Sequence, residues 1–216
     1  MEEKLKKLWD NLFVRKCINC GTAIKTTCDI NVCDACNRKV SVYGQTINIP
    51  DRVVVSALPY DKHIRKHMHK FKFQEKKYLG YTFAKLLYKK IASNSWSSEI
   101  QCVTCVPMLG RRRSYNQSAV IAEQIASLLD VPFAENALVK IKNNPPLYTL
   151  TYKQKSKVVK GAYDLGEDLS FKGKTVLLVD DIYTTGSTIN ECRRVLNKNG
   201  AGKVYSATAC YKVEKR

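Results

Sequence analysis

Two adjacent aspartates at the end of an apolar run carry the strongest chemical signal in the sequence. Asp180 and Asp181 directly follow the residues VLLV, and Ile182 and Tyr183 separate them from the segment TTGST. Two neighbouring carboxylates repel each other unless a ligand or a cation pairs with them. In parallel sheets, ligands bind beyond the carboxyl ends of the strands. The pattern therefore predicts a binding site where this strand ends.

The segment after the aspartates has the composition of a phosphate-binding turn. Thr184–Thr188 leads into INECRRVLNKNG, which is predicted to be a helix. The free amides and the dipole at a helix N-terminus attract phosphate, and Gly186 allows close approach. The aspartates can accept hydrogen bonds from sugar hydroxyls, and the turn can donate hydrogen bonds to a phosphate. This combination fits a ribose 5-phosphate. The alternative is a simple helix cap, which leaves the paired aspartates unexplained.

Four cysteines have the spacing of a zinc site. They form the motifs CINC and CDAC with twelve residues between them. Two such knuckles complete a tetrahedron of thiolates around Zn²⁺, and a closed site of this kind is structural. The expected ligands are Cys17, Cys20, Cys33 and Cys36. Cys28 is not needed for this site, and Cys102 and Cys105 lie in a strand-like run where residues i and i+3 face opposite sides, which favours core packing.

The overall composition narrows the possible partners. The chain has 216 residues, 44% of them apolar, and a net charge of +18. This charge favours anionic partners such as nucleic acid or phosphorylated metabolites, with a solvated lysine-rich surface as the alternative. Nine cysteines without a secretion signal argue against a disulfide framework. With no apolar run of about 18 residues, we expect a cytoplasmic protein without a transmembrane segment.

Strand-like and helix-like segments alternate from Val53 onward. The strands are RVVVSALPY, QCVTCVP, ALVKIK, TVLLVDD and GKVYSATACYK, and the helices include YLGYTFAKLLYKKIAS and QSAVIAEQIASLLD. This order predicts an α/β fold with a parallel sheet covered by helices. We expect an N-terminal helix and zinc module over residues 1–48, a second domain over 49–216, and a long loop over 143–174.

The motifs resemble a known family. VLLVDDIYTTGST resembles the signature with which type I phosphoribosyltransferases bind phosphoribosyl pyrophosphate (PRPP). The order of the zinc module, FKF, VPMLGRRRSYNQ, KGAYDL and this signature is similar to that of the ComF-type competence family (ComFC). The resemblance implies a type I phosphoribosyltransferase-like core, Mg²⁺ accompanying PRPP, and catalytic roles for Asp180 and Asp181. The PRPP-binding residues that it implies are Asp180, Asp181, Ile182, Tyr183, Thr184, Thr185, Gly186, Ser187 and Thr188.

The same resemblance implies a pyrophosphate loop but does not decide whether the protein is an active enzyme. The residues of this loop would be Pro107, Met108, Leu109 and Arg113. Leu147, Lys155 and Val158 stand where the family usually carries Gln, Arg and Asn, and lysine lacks the bidentate fork of arginine. Both a PRPP-binding protein and an active phosphoribosyltransferase acting on a base or small acceptor therefore remain open.

A basic stretch with aromatic residues predicts a surface for single-stranded DNA. Its cations alternate with Phe71 and Phe73, which suits stacking of bases, although both rings could instead belong to the core. The candidate DNA-binding residues are Lys62, Arg65, Lys66, Lys70, Lys72, Arg111 and Arg112. His63 and His67 could bind a metal, but a basic helix face is the favoured interpretation. The resemblance implies a role in natural transformation with a competence helicase, at or near the membrane-bound DNA uptake machinery.

Overall fold

A computed structural model describes residues 15–24, 29–40, 44–49, 52–108, 114–142, 151–166 and 171–213. The strands are β1 Gln45–Ile49, β2 Arg52–Pro59, β3 Cys102–Cys105, β4 Phe133–Ala134, β5 Leu138–Lys140, β6 Tyr163–Leu165, β7 Thr175–Tyr183 and β8 Lys203–Tyr211. The helices are α1 Asp34–Arg38, α2 Lys62–Phe73, α3 Tyr78–Ala92, α4 Gln117–Leu129, α5 Tyr152–Val159 and α6 Ser187–Lys198.

The main sheet has six strands in the order β1-β2-β8-β7-β3-β4. All neighbouring pairs are parallel except β1 and β2, which form an antiparallel hairpin at one edge. This arrangement confirms the predicted α/β fold, and the expected strands at β2, β3, β7 and β8 lie in this sheet. The sequence analysis did not predict β1, whose residues QTINI include only two strongly apolar side chains.

Strand β7 runs through the middle of the sheet and divides the core into two layers. Leu177 and Val179 pack with α3 and α4, whereas Val176 and Leu178 pack with α6. Successive side chains of a strand point to opposite faces, so a strand covered on both sides must be apolar throughout. Cys102 and Cys105 are divided between the same two layers, which confirms that they are core residues.

Two expectations about the fold need correction. ALVKIK contains a strand, but β5 pairs antiparallel with β6 in a separate two-stranded sheet and is not part of the parallel sheet. The predicted long loop contains both β6 and helix α5, which begins with a capping box between Thr151 and Gln154. The residues of α5, YKQKSKVV, are mostly polar, so hydrophobic periodicity gave no helix signal.

The cysteine-rich segment packs directly on the sheet domain. Ile18 and Val32 share a buried core with Phe83 and Leu86 of α3. The expected helix over residues 1–13 and Cys28 lie outside the described residues. Strand β1 crosses the expected boundary after residue 48, and the division into two modules stays a prediction. Within the described ranges, no helix is both long and apolar enough to cross a membrane.

Candidate functional site

Asp180 lies where β7 leaves the core, and its carboxylate is held from two sides. Ser118 Oγ, in the first turn of α4, donates a hydrogen bond to Asp180 Oδ1 at 2.9 Å. The backbone N–H of Asp181 donates to the same oxygen at 2.8 Å. Burial, followed by repulsion from the Asp181 charge, raises the pKa of Asp180 from 3.8 to about 7 despite these hydrogen bonds. Near neutral pH this carboxyl therefore exchanges readily between its charged and neutral forms.

Asp181 forms an ion pair with a lysine from a distant helix. Lys72 Nζ, in the last turn of α2, lies 2.5 Å from Asp181 Oδ2, and both side chains are only 15% exposed. The two neighbouring aspartates thus have different partners: Asp180 accepts hydrogen bonds from a hydroxyl and an amide, and Asp181 pairs with an ammonium group. Sequence reasoning grouped Lys72 with the candidate DNA-binding cations, because nothing in the sequence indicates that α2 reaches the end of β7.

The turn after the aspartates forms a small cavity at the start of α6. Its lining includes Asp180 and every predicted PRPP-binding residue from Ile182 to Thr188, while Asp181 is not among the lining residues. Gly186 has a φ of +72°, and a Cβ there would lie 2.6 Å from Tyr183 Oη, so glycine keeps the cavity open. The first intrahelical bond runs from Asn190 N–H to the Gly186 carbonyl at 2.8 Å, which leaves the preceding amides without an intrahelical acceptor.

Hydroxyl groups surround this helix start. Thr185 Oγ1 and Ser187 Oγ are 2.9 Å apart. Ser187 Oγ, which lines the cavity, is also 3.3 Å from Ser156 Oγ of α5. Ser156 was not predicted from the sequence. Its position in the segment that connects the other site motifs is the only sequence signal that could have indicated it. Together, the amides and hydroxyls make this cavity a set of donors suited to an anion.

The predicted pyrophosphate loop begins at the same edge of the sheet. Pro107 and Met108 follow β3, which pairs with β7 beside the aspartates, and Val106 N–H donates to the Val179 carbonyl at 2.9 Å. Leu109 and residues 110–113, which include Arg111, Arg112 and Arg113, lie outside the described residues. Asn116 begins α4 by accepting from Ser118 N–H and donates to the Val106 carbonyl at 3.0 Å. The two ends of the loop are therefore tied together next to Asp180.

The four predicted zinc ligands come together in one cluster. The sulfur atoms of Cys17, Cys20, Cys33 and Cys36 all lie within 4.8 Å of one another, and the Cys20 and Cys33 sulfurs are 3.7 Å apart. Zn–S bonds of about 2.3 Å in a tetrahedron require about 3.8 Å between sulfurs. Asn19 Nδ2 donates to Cys36 Sγ at 3.3 Å, and Cys20 Sγ lies 3.2 Å from Thr22 Oγ1. The donor set thus fits zinc, and hydrogen-bonding groups support its sulfurs.

In the described part of the chain, no other group of three or more metal-binding side chains lies close enough together to hold an ion. His63 and His67 belong instead to the basic face of α2. Along this helix Lys62, Arg65 and Lys66 are exposed and Lys70 is half-buried.

The two phenylalanines near the end of α2 have different environments. Phe71 is fully buried and its ring packs near those of Phe83 and Tyr115. Phe73 is 58% exposed, and its ring lies 4.8 Å from that of His69. The core interpretation is therefore correct for Phe71, and only Phe73 could stack on a base.

Comparison with known proteins agrees with this geometry. The sequence profile of the phosphoribosyl transferase domain matches residues 115–216. Competence protein F of Haemophilus influenzae is 27% identical, with 90% of each chain covered. Competence protein ComFC of Bacillus subtilis is 25% identical over 93% of this chain and 88% of the relative. The chain is therefore similar to ComF-type proteins over nearly its whole length.

Other relatives of the chain carry a different name. The DNA utilization protein YhgH of Salmonella typhimurium is 26% identical over 74% of this chain and 73% of its own length. The matches to competence protein F and ComFC cover 90% and 93% of this chain, so the similarity is not confined to the sheet domain. The family resemblance predicted from the sequence motifs is confirmed.

Proposed function

We propose that this protein binds PRPP or a related phosphosugar where β7 meets α6. The observation that carries the proposal is the cavity in which Asp180 lies beside the donors of the Ile182–Thr188 turn. The sugar hydroxyls would donate to Asp180 and Asp181, and the amides and hydroxyls around Gly186 would bind the 5-phosphate. A simple helix cap would not require hydrogen-bond donors for an anion next to carboxylate acceptors.

Two metals accompany this proposal in different roles. Zn²⁺ would be held by the four cysteines and would stabilise an N-terminal module over residues 1–48, docked on a domain over residues 49–216. Mg²⁺ would enter with PRPP, because carboxylate and pyrophosphate oxygens are its preferred ligands. Asp180 and Asp181 offer such oxygens, whereas the cysteine cluster does not.

The wider role that we propose is in DNA uptake during natural transformation. The names of the relatives, competence protein and DNA utilization protein, support this role. Single-stranded DNA would bind the exposed face of α2, with Phe73 as the stacking ring. The cations of this surface would be Lys62, Arg65, Lys66 and Lys70, joined by Arg111 and Arg112. A competence helicase would be its protein partner, at the uptake machinery on the cytoplasmic side of the membrane.

The match to the phosphoribosyl transferase domain favours a second candidate, an active transferase. In such a reaction the bond from sugar C1 to pyrophosphate breaks, an acceptor atom bonds to C1, and positive charge develops on the sugar. The carboxylates of Asp180 and Asp181 could stabilise this charge, while the residues following Pro107 held the leaving pyrophosphate. Pyrophosphate release that depends on one particular acceptor would establish this activity.

Isothermal titration of the zinc-loaded protein with PRPP and Mg²⁺ tests the main proposal. We expect binding by the wild type and none by the Asp180→Asn/Asp181→Asn double variant, with zinc content unchanged. Titration with oligo-dT at two salt concentrations tests the DNA surface, because phosphate contacts make affinity fall steeply with salt. PRPP affinity that survives the double substitution would show that the sugar binds elsewhere.

A further inference from the structure

We infer that Lys72 is a positioning residue of the phosphosugar site and not a member of the DNA-binding surface of α2. Its ammonium group neutralises Asp181 and fixes the carboxylate for the sugar hydroxyls. This inference rests on the proposed phosphosugar function. It also divides α2 into two faces with different ligands, one turned toward the aspartates and one toward solvent.

The surroundings of Lys72 separate it from the other cations of α2. Its side chain is 15% exposed and ends on Asp181, whereas Lys66, one and a half turns earlier, is exposed. A lysine in contact with a DNA phosphate needs an accessible ammonium group. The ammonium of Lys72 is already directed at the Asp181 carboxylate.

The fold holds Lys72 in this place through its neighbour. Phe71 is fully buried, and its ring packs near those of Phe83 and Tyr115. The Tyr115 hydroxyl donates a hydrogen bond to the Phe71 carbonyl. Tyr115 immediately precedes Asn116, which begins α4 and with it the turn that carries Ser118. The last turn of α2 and the support of Asp180 are thus tied to the same short segment.

The charge of Lys72 suits this placement. Asp180 and Asp181 are adjacent carboxylates that repel each other, and the ammonium group of Lys72 lies 2.5 Å from Asp181 Oδ2. A cation held beside Asp181 offsets this repulsion and keeps the Asp181 carboxylate in place as an acceptor for hydroxyl groups.

Lys72→Met tests the inference, with Lys66→Met as the matched control on the exposed face of the same helix. We expect Lys72→Met to weaken PRPP binding about tenfold or more and to leave the salt dependence of oligo-dT binding unchanged. Lys66→Met should do the reverse, lowering the salt slope by about 0.7 for one lost phosphate contact on a single strand. Lys72→Arg, which keeps the charge, should recover part of the PRPP affinity.

The possible outcomes separate this inference from the proposed function. If the wild type binds PRPP and Lys72→Met binds it equally well, or if Lys72→Met lowers the oligo-dT salt slope as Lys66→Met does, the inference is wrong. If the wild type does not bind PRPP, the proposed function fails, and with it the role of Lys72 in that site. A double-mutant cycle of Lys72→Met and Asp181→Asn, measured by thermal unfolding, then reports whether the ion pair itself exists. Non-additive effects of the two substitutions on stability support the ion pair, and additive effects refute it.

Discussion

Asp180→Asn should make the ligand-free protein more stable above neutral pH while it removes phosphosugar binding. In the ligand-free protein the charged Asp180 carboxylate destabilises the folded state, because burial and the Asp181 charge raise its pKa to about 7. Asparagine keeps the shape and can still accept from Ser118 Oγ and Asp181 N–H. It carries no charge, however, and cannot take the place of a carboxylate as the acceptor for sugar hydroxyls.

The sign and size of this effect follow from the two pKa values. In the unfolded chain Asp180 titrates near 3.8, and in the folded protein near 7. Between these values the folded state binds the additional proton, so the stability contributed by the neutral carboxyl is complete below about pH 4 and is lost as the pH rises to 7. The full difference is about 4 kcal/mol. Because asparagine forfeits the charge-assisted hydrogen bonds, we expect a net gain of about 1–3 kcal/mol at pH 8.

Thermal unfolding of the zinc-loaded protein measures this gain. For a chain of this size it corresponds to a rise in Tm of about 2–12 °C at pH 8, and more than half of the rise should disappear at pH 5. Glu123→Gln is the control, since it removes one negative charge from an exposed position on α4 and should change Tm little at either pH. A lower Tm for Asp180→Asn at pH 8, or the same rise at both pH values, would refute the reasoning.

Three further predictions concern the support of the site. Ser118→Ala should raise the pKa of Asp180 further and weaken PRPP binding about tenfold at pH 7, with recovery at pH 8.5; a loss that titration calorimetry finds to be independent of pH contradicts this. Gly186→Val should abolish binding of PRPP because its side chain would collide with Tyr183, and retained affinity would mean that the phosphate lies elsewhere. Elemental analysis should find one zinc per chain in the wild type and loss of that zinc in Cys36→Ser; a metal-free wild type would rule out the site.

The parts of this fold that the sequence predicted are those with local signals. The core-forming run of β7 is apolar at every position because helices cover both of its faces, and its end is marked by Asp180 and Asp181. The cysteine motifs are equally local, since each pair forms half of the cluster within four residues. Such features depend on neighbouring residues and need no knowledge of the tertiary structure.

The features that sequence reasoning missed depend on distant contacts. The ion pair between Lys72 and Asp181 joins residues more than one hundred positions apart, and Lys72 looks like its basic neighbours until the fold is known. Helix α5 was missed because its polar residues give no apolar stripe, yet it brings Ser156 within 3.3 Å of Ser187, which lines the cavity. Strand β5 was recognised as a strand, but its partner β6 was not, so it was assigned to the wrong sheet.

A crystal structure of the protein soaked with PRPP and Mg²⁺ tests the central claim most directly. The account predicts the 5-phosphate against the amides that follow Gly186 and the sugar hydroxyls on Asp180 and Asp181. The same crystal should show whether Lys72 remains beside Asp181 when the sugar is bound. A PRPP molecule ordered at an unrelated place, with this edge of the sheet empty, would contradict the account.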